Sequence, residues 1–217
     1  MATIVFYIFP QAYVEVTEPA FDQNTDPNIL QGERVTLRPY SYAFTEEELR
    51  RLYNWGRDDE VLRWSGGMPL HMTFQEFKAA FPREQRRRDQ MVYVILTEEG
   101  ELIGRVAIFD IDNRAKNATL GIVLGEKRFW SRGYGTDAIR TLLKHLFFNE
   151  GFKSIHLFTY IDNYRAQRSF GKAGFQPVGQ RRRFPFGLRS QDEMRMEVTR
   201  DDFVRLLSEQ EDTDRAP

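Results

Sequence analysis

Between residues 125 and 135 the chain changes its hydrophobic period, and that change constrains the fold more than any other feature. Before it, residues 91–97, 102–111 and 118–124 are apolar runs separated by Glu98-Glu99-Gly100 and by residues 113–117. Such runs with tight turns predict an antiparallel meander. After it, Ala138, Ile139, Leu142, Leu143, Leu146 and Phe147 recur at steps of three and four, up to Gly151. That spacing predicts an amphipathic helix with a glycine stop. The joint reads Trp130-Ser131-Arg132-Gly133-Tyr134-Gly135-Thr136. A helix start carries unpaired N–H groups and a partial positive charge, so it attracts phosphate. Gly133 and Gly135 let backbone approach an anion closely. Thr136 can cap the helix, and Arg128 and Arg132 can add charge-assisted contacts. A plain strand-to-helix turn would use the same glycines. The spacing is neither GxGxxG nor GxxxxGK[ST], so dinucleotide redox chemistry and ATP hydrolysis have no support.

The flanking segments complete an α+β order. Residues 34–38 alternate as a strand up to Pro39. Thr45 with Glu48, and Thr73 with Glu76, are capping boxes. The helices behind them carry Leu49, Leu52 and Tyr53, and Phe74, Phe77 and Phe81, with a shorter helix at residues 59–64 between. Downstream, residues 154–160 predict a strand and residues 164–173 a helix. Residues 176–184 and 193–198 predict two strands joined through Pro185-Phe186-Gly187, and residues 201–207 a last helix. Residues 1–32 read as an extension, with a short apolar strand at residues 3–9 that lacks the basic flank of a secretion signal. Residues 33–207 are the domain, and the acidic tail 208–217 is expected to be disordered.

Composition removes whole classes of chemistry. The chain of 217 residues has no cysteine, so thiol nucleophiles, disulfides and cysteine-held metals are excluded. This absence suits a reducing cytoplasm. The three histidines, His71, His145 and His156, lie far apart without an HExxH pattern, so no metal is expected. They read as loop, helix-surface and strand residues, none with a neighbour that argues for a base. The net charge of -1 carries no global nucleic-acid footprint, and no apolar run is long enough for a membrane helix. Of 31 basic residues only six are lysine, a bias that suits planar anion binding but also follows from genome composition.

A second segment gives the glycine loop its context. Asn163-Tyr164-Arg165-Ala166 leads through Arg168-Ser169-Phe170 to Lys172-Ala173-Gly174-Phe175. Together with Trp130-Ser131-Arg132-Gly133-Tyr134-Gly135-Thr136-Asp137-Ala138, it resembles the GNAT acetyltransferase superfamily, most of all its branch of ribosomal-protein N-terminal (alanine or serine) acetyltransferases. The resemblance covers roughly residues 33–207 and rests on these two motifs and their spacing. It implies a mixed, mostly antiparallel seven-strand sheet with helices on both faces. Strands four and five would splay, with the pantetheine arm of acetyl-CoA in the gap. Ser131, Arg132, Gly133, Tyr134, Gly135 and Thr136 would hold the pyrophosphate, with Arg128 beside them. Backbone of Ile122, Val123 and Leu124 would pair with pantetheine, Asn163 would bond the arm, and Arg168 would reach the adenine-side phosphates. A primary amine, on a small molecule or a protein N-terminus, would enter past residues 64–72 and attack the thioester directly.

Two positions depart from that pattern. Phe170 stands where many members have a proton-donating tyrosine, leaving Ser169, Tyr164 or water. Thr119 stands where the branch often has a glutamate, leaving Asp110, Asp112 or Glu126 as the base. Asp110 and Ser169 are the catalytic candidates taken forward. These departures keep open a non-catalytic acyl-CoA sensor. The run Arg181-Arg182-Arg183 keeps open a ribosome- or RNA-associated role, although nucleic acid is not the expected partner. Either a monomer or a homodimer is compatible with the sequence.

Overall fold

The computed structural model describes residues 26–183 and 191–215. The apolar strand expected at residues 3–9, and the joint Pro185-Phe186-Gly187, lie outside them. The described chain forms an open sheet flanked by six helices. Its strands are β1 (Leu30–Gln31), β2 (Val35–Pro39), β3 (Met91–Thr97), β4 (Leu102–Asp112), β5 (Asn117–Leu124), β6 (Ser154–Tyr160), β7 (Gln176–Arg183) and β8 (Gln191–Thr199). Its helices are α1 (Glu46–Trp55), α2 (Asp59–Ser65), α3 (Phe74–Gln85), α4 (Tyr134–Phe148), α5 (Tyr164–Lys172) and α6 (Arg200–Arg215).

The strand order is β1-β2-β3-β4-β5-β6-β8-β7. Neighbours pair antiparallel except β5 and β6, which α4 connects as a parallel crossover. That parallel ladder holds for three residue pairs, Asn117 with Ser154 through Thr119 with His156. Beyond them β5 stays on β4 as far as Leu124, and β6 stays on β8 as far as Tyr160. The inner edges therefore part while the outer edges remain bonded.

Each face of the sheet has its own core. The period-three-and-four residues of α4 pack with Phe170, Phe175 and Phe203 against Ile155, Leu157, Val106 and Ile108. On the opposite face, Leu49, Leu52, Tyr53 and Trp55 of α1 pack with Phe77 and Phe81 of α3. Both expected capping boxes form. Thr45 and Thr73 accept from the backbone of Glu48 and Glu76, whose carboxylates accept in return. Asp58 caps α2 through the N–H groups of Glu60 and Val61.

Two expectations need correction. The sheet has eight strands, not seven, because Leu30 and Gln31 pair with Leu37 and Thr36. They fall inside the stretch read as an extension, and their pairing partner is the alternating strand beside them. Within the described residues the tail from Ser208 is helical as far as Arg215, in α6. Thr199 fixes its start by bonding both the backbone and carboxylate of Asp202, and extending an existing helix costs far less than starting one.

One contact seats α1 at the mouth of the gap. Trp55 lies over Gly125 so closely that a Cβ there would sit 1.9 Å from the indole ring, and Trp55 Nε1 donates to Glu126 at 3.0 Å. Gly125→Ala is expected to lower stability by about 1–3 kcal/mol in urea unfolding, the usual range for an overpacked site. An unchanged midpoint would show that the helix yields without cost.

Candidate active site

A cleft of about 1210 Å³ passes through the gap between β5 and β6. It is lined at one end by the start of α4 and by α5, and at the other by the loop after α2 and by the sheet face under α1 and α3.

The α4 end is built from a tight turn. Ser131 and Gly133 take left-handed backbone, with φ of 61° and 90°. That conformation is strained for serine and free for glycine. Gly133 is the N-cap of α4, and no side chain caps the helix there. The first N–H groups of α4 are thus left without a capping side chain in the wall of the cleft. A Cβ on Gly133 would find only Arg34 Nη1, at 3.6 Å, so the concavity is one that a side chain would fill. Arg34 Nη1 donates to the Arg132 carbonyl at 2.7 Å. Asp137, in the first turn, accepts from the backbone N–H groups of Glu33, Arg34 and Val35 at 3.2, 2.8 and 3.1 Å. The turn before β2 therefore braces the glycine loop. Arg140, Arg165 and Arg168 also line this end. Arg165 stacks 3.7 Å over Trp130, whose Nε1 donates to the Leu124 carbonyl at 2.8 Å. The geometry and charge suit phosphate, so the residues fit the group that the sequence implied.

Most of the expected residues come together here. Ser131, Gly133, Gly135 and Thr136 line the cleft, as do Ile122, Val123 and Leu124 on the inner edge of β5. Asn163, Arg168 and Phe170 line it from α5. Asn163 is buried and caps α5 by accepting from Ala166 N. Tyr134 instead packs edge-on against Phe129, holding the loop from behind. Arg132 is exposed and contributes its carbonyl rather than a charge on the cleft wall.

Four candidates stand elsewhere than expected. Arg128 turns away from the cleft, paired with Glu101 and stacked on Phe129. It sits in the 3-10 turn at Lys127–Phe129, outside the lining of the cleft. Ser169 Oγ lies 2.9 Å from Thr136 Oγ1, so it stands with the glycine loop and not at the closed end of the gap. Asp112 accepts from Arg114 and Ala115 N in a turn, and Glu126 holds Trp55, so both carboxylates are committed to structure. Asp110 does line the cleft, exposed, at a bulge of β4 with φ 51°.

The other end carries Glu193, Glu84 and Tyr40, which the sequence reading passed over, beside Arg181, His156 and Thr119, which it named. Glu193 is buried opposite Tyr160 on β6 and pairs with Arg181 at 2.8 Å. Arg181 also stacks 3.4 Å over Phe158. Glu84 of α3 lines the cleft near Arg105, and burial pushes its carboxyl above the usual range. Burial also pushes Tyr40 up to about 12. His156 Nε2 lies 2.9 Å from Thr119 Oγ1, and burial, then Arg195, hold the imidazole below its ordinary value. Strand alternation could have placed His156, Phe158 and Tyr160 on one face of β6, but not the residues that other elements bring to them.

The family of the Acetyltransferase (GNAT) domain matches residues 34–176. The chain belongs to the GNAT acetyltransferases. It is accordingly an acyl-CoA-dependent N-acetyltransferase. Relatives of this GNAT chain include aminoglycoside N(6')-acetyltransferase type 1 of Klebsiella pneumoniae and of Serratia marcescens. Each is 26% identical over 158 residues, which is 68% of this chain and 77% of the relative. Among solved structures, spermidine N-acetyltransferase from Vibrio cholerae in complex with CoA and spermine superposes with a TM-score of 0.67. It shares 20% identity and covers 78% of this chain and 98% of that one. A GNAT acetyltransferase from Bacillus anthracis superposes at 0.66 with 16% identity, over 80% and 99% of the two chains. Among the described residues no helix is long and apolar enough to cross a membrane.

If the GNAT loop holds a phosphate against backbone, Gly133→Val should weaken CoA binding at least tenfold by calorimetry while the far-UV spectrum is retained. Undiminished affinity would mean that the anion sits elsewhere.

Proposed function

We propose that this enzyme acetylates a primary amine of a small polycationic molecule, of the polyamine or aminoglycoside kind, with acetyl-CoA as donor. One observation carries the reading: a single cleft joins the N–H groups at the start of α4, which no side chain caps, to a wall where Asp110 is exposed, beside Glu84 and the Glu193–Arg181 pair. Phosphate suits the first end, and a cation suits the second. The two aminoglycoside acetyltransferases and the spermidine acetyltransferase among the matches are named for such amines, which favours the same class.

When bound, acetyl-CoA supplies the acetyl group as a reactive thioester. Backbone N–H groups at the start of α4, with Arg168, Arg140 and Arg165 around them, would hold its phosphates. The inner edge of β5 at residues 122–124 would align its pantetheine arm, with Asn163 facing it from α5. Phe170, buried at 7% exposure, lends apolar wall and no proton. Asp110 would draw the cationic amine toward the gap. Trp64, Met68 and Phe109 line its approach. Holding both reactants in one cleft would supply much of the rate by proximity.

The arginine run gives little to a nucleic-acid role. Arg181 is engaged by Glu193 and Phe158, and Arg182 pairs with Asp192 at 3.2 Å.

The test is thiol release from acetyl-CoA with spermidine, an aminoglycoside and an alanine-terminated peptide. We expect turnover with the first two and at least tenfold less with the peptide; saturable CoA binding without turnover on any amine would refute the reading. Asp110→Asn, which tolerates the same left-handed backbone, should lower kcat/KM for the polycation about fivefold or less through KM, with CoA affinity unchanged.

A further inference from the structure

The last rung of the β5–β6 ladder is Thr119 with His156. Their side chains therefore stand at the closed end of the gap, where the two strands first separate. Both line the cleft. Thr119 is 3% exposed, and His156 is half-buried. Thr119 Oγ1 and His156 Nε2 are 2.9 Å apart. Alternation along β6 turns Ile155 and Leu157 into the α4 core and His156 to the opposite face, edge-on to Phe158 at 5.9 Å.

We propose that Thr119 and His156 form the proton relay of acetyl transfer, with His156 as proton acceptor. This rests on the acetyltransferase reading given above, because an arm lying between β5 and β6 from the α4 end would bring its reactive end to this rung. With the ring proton on Nδ1, Nε2 accepts from the Thr119 hydroxyl. As the amine lone pair forms the C–N bond, Thr119 Oγ1 takes a proton from nitrogen and passes its own to His156 Nε2. The C–S bond breaks with its electron pair going to sulfur. His156 then gives the proton to that thiolate, so amine and thioester become amide and thiol with no proton gained or lost.

The surroundings keep the imidazole ready to accept. Asp110 on β4 and Glu197 on β8 favour its charged form. Arg195 on β8 and Arg181 on β7 oppose it, and burial opposes it most. The result is a neutral ring at neutral pH. Because the neutral form is the active one, kcat/KM is expected to fall as pH drops through the His156 midpoint, which lies below the ordinary 6.5. A base dispensed with at this position would leave no such limb.

The experiment combines kinetics and NMR on the full chain. His156→Gln should lower kcat for spermidine by about 10²–10³-fold and abolish the acid limb, with CoA affinity retained as the sign of an intact fold. Thr119→Val should act likewise, Thr119→Ser should restore most of the rate, and His145→Gln should change nothing. In the NMR arm the His156 ring signals, assigned by their loss in His156→Gln, should titrate below 6.5 and shift on saturation with CoA. Rates within twofold of wild type in His156→Gln, an unaltered acid limb, or ring signals blind to CoA would each overturn this assignment alone. Should His156→Gln lose CoA affinity, the Thr119 pair decides: equal rates in Thr119→Val and Thr119→Ser would overturn it. A wild type that releases no thiol with any amine would overturn the acetyltransferase reading and this relay with it.

Discussion

The structure depends on the early end of one parallel ladder. Three residue pairs join β5 to β6, and then each strand follows its outer antiparallel neighbour instead. Exposed strand edges carry unpaired N–H and C=O groups, which proteins normally cover or bond. Here two such edges face each other across a cleft, in a sheet whose outer faces are both buried under helices. An extended, amide-containing arm is the ligand that such an edge can accept as if it were another strand. The crossover helix α4 makes this possible. It bridges the only parallel pair of the described sheet, and its start lies at the open end of the gap.

The remaining features keep that opening rigid. Trp130 ties the glycine loop to the end of β5, while Asp137 ties the first turn of α4 to the backbone before β2. Trp55 over Gly125 fixes the helical layer that roofs the amine side. The backbone proposed to bind phosphate, the edge proposed for pantetheine and the wall proposed for the acceptor are thus held by separate contacts on helices and strands. That arrangement suits a reaction whose rate comes largely from placing two reactants together.

Much of this was legible in the sequence, for identifiable reasons. The α4 helix and the meander were visible because period and turn chemistry agree over long segments. The capping boxes marked α1 and α3 because a reciprocal side-chain bond needs particular residues at fixed spacing. The glycine loop was visible because left-handed backbone demands glycine at Gly133. Side-chain direction was not legible. Arg128 sits two residues from the loop, yet a single 3-10 turn sends it to Glu101. Ser169 and Thr136 are far apart in sequence but bonded in space. The Thr119–His156 contact depends on the strand register across a crossover, which no local pattern encodes. For the same reason β1 was missed: two residues have no period of their own and acquire a strand only from β2.

The central claim is that acetyl-CoA lies along the parted edge of β5 with its phosphates on the start of α4. Amide hydrogen exchange with and without CoA tests it directly. The account predicts slowed exchange at residues 120–124 and 133–136, with the outer strands β2 and β7 unchanged. CoA binding that leaves those two segments exchanging at their free rates would contradict it.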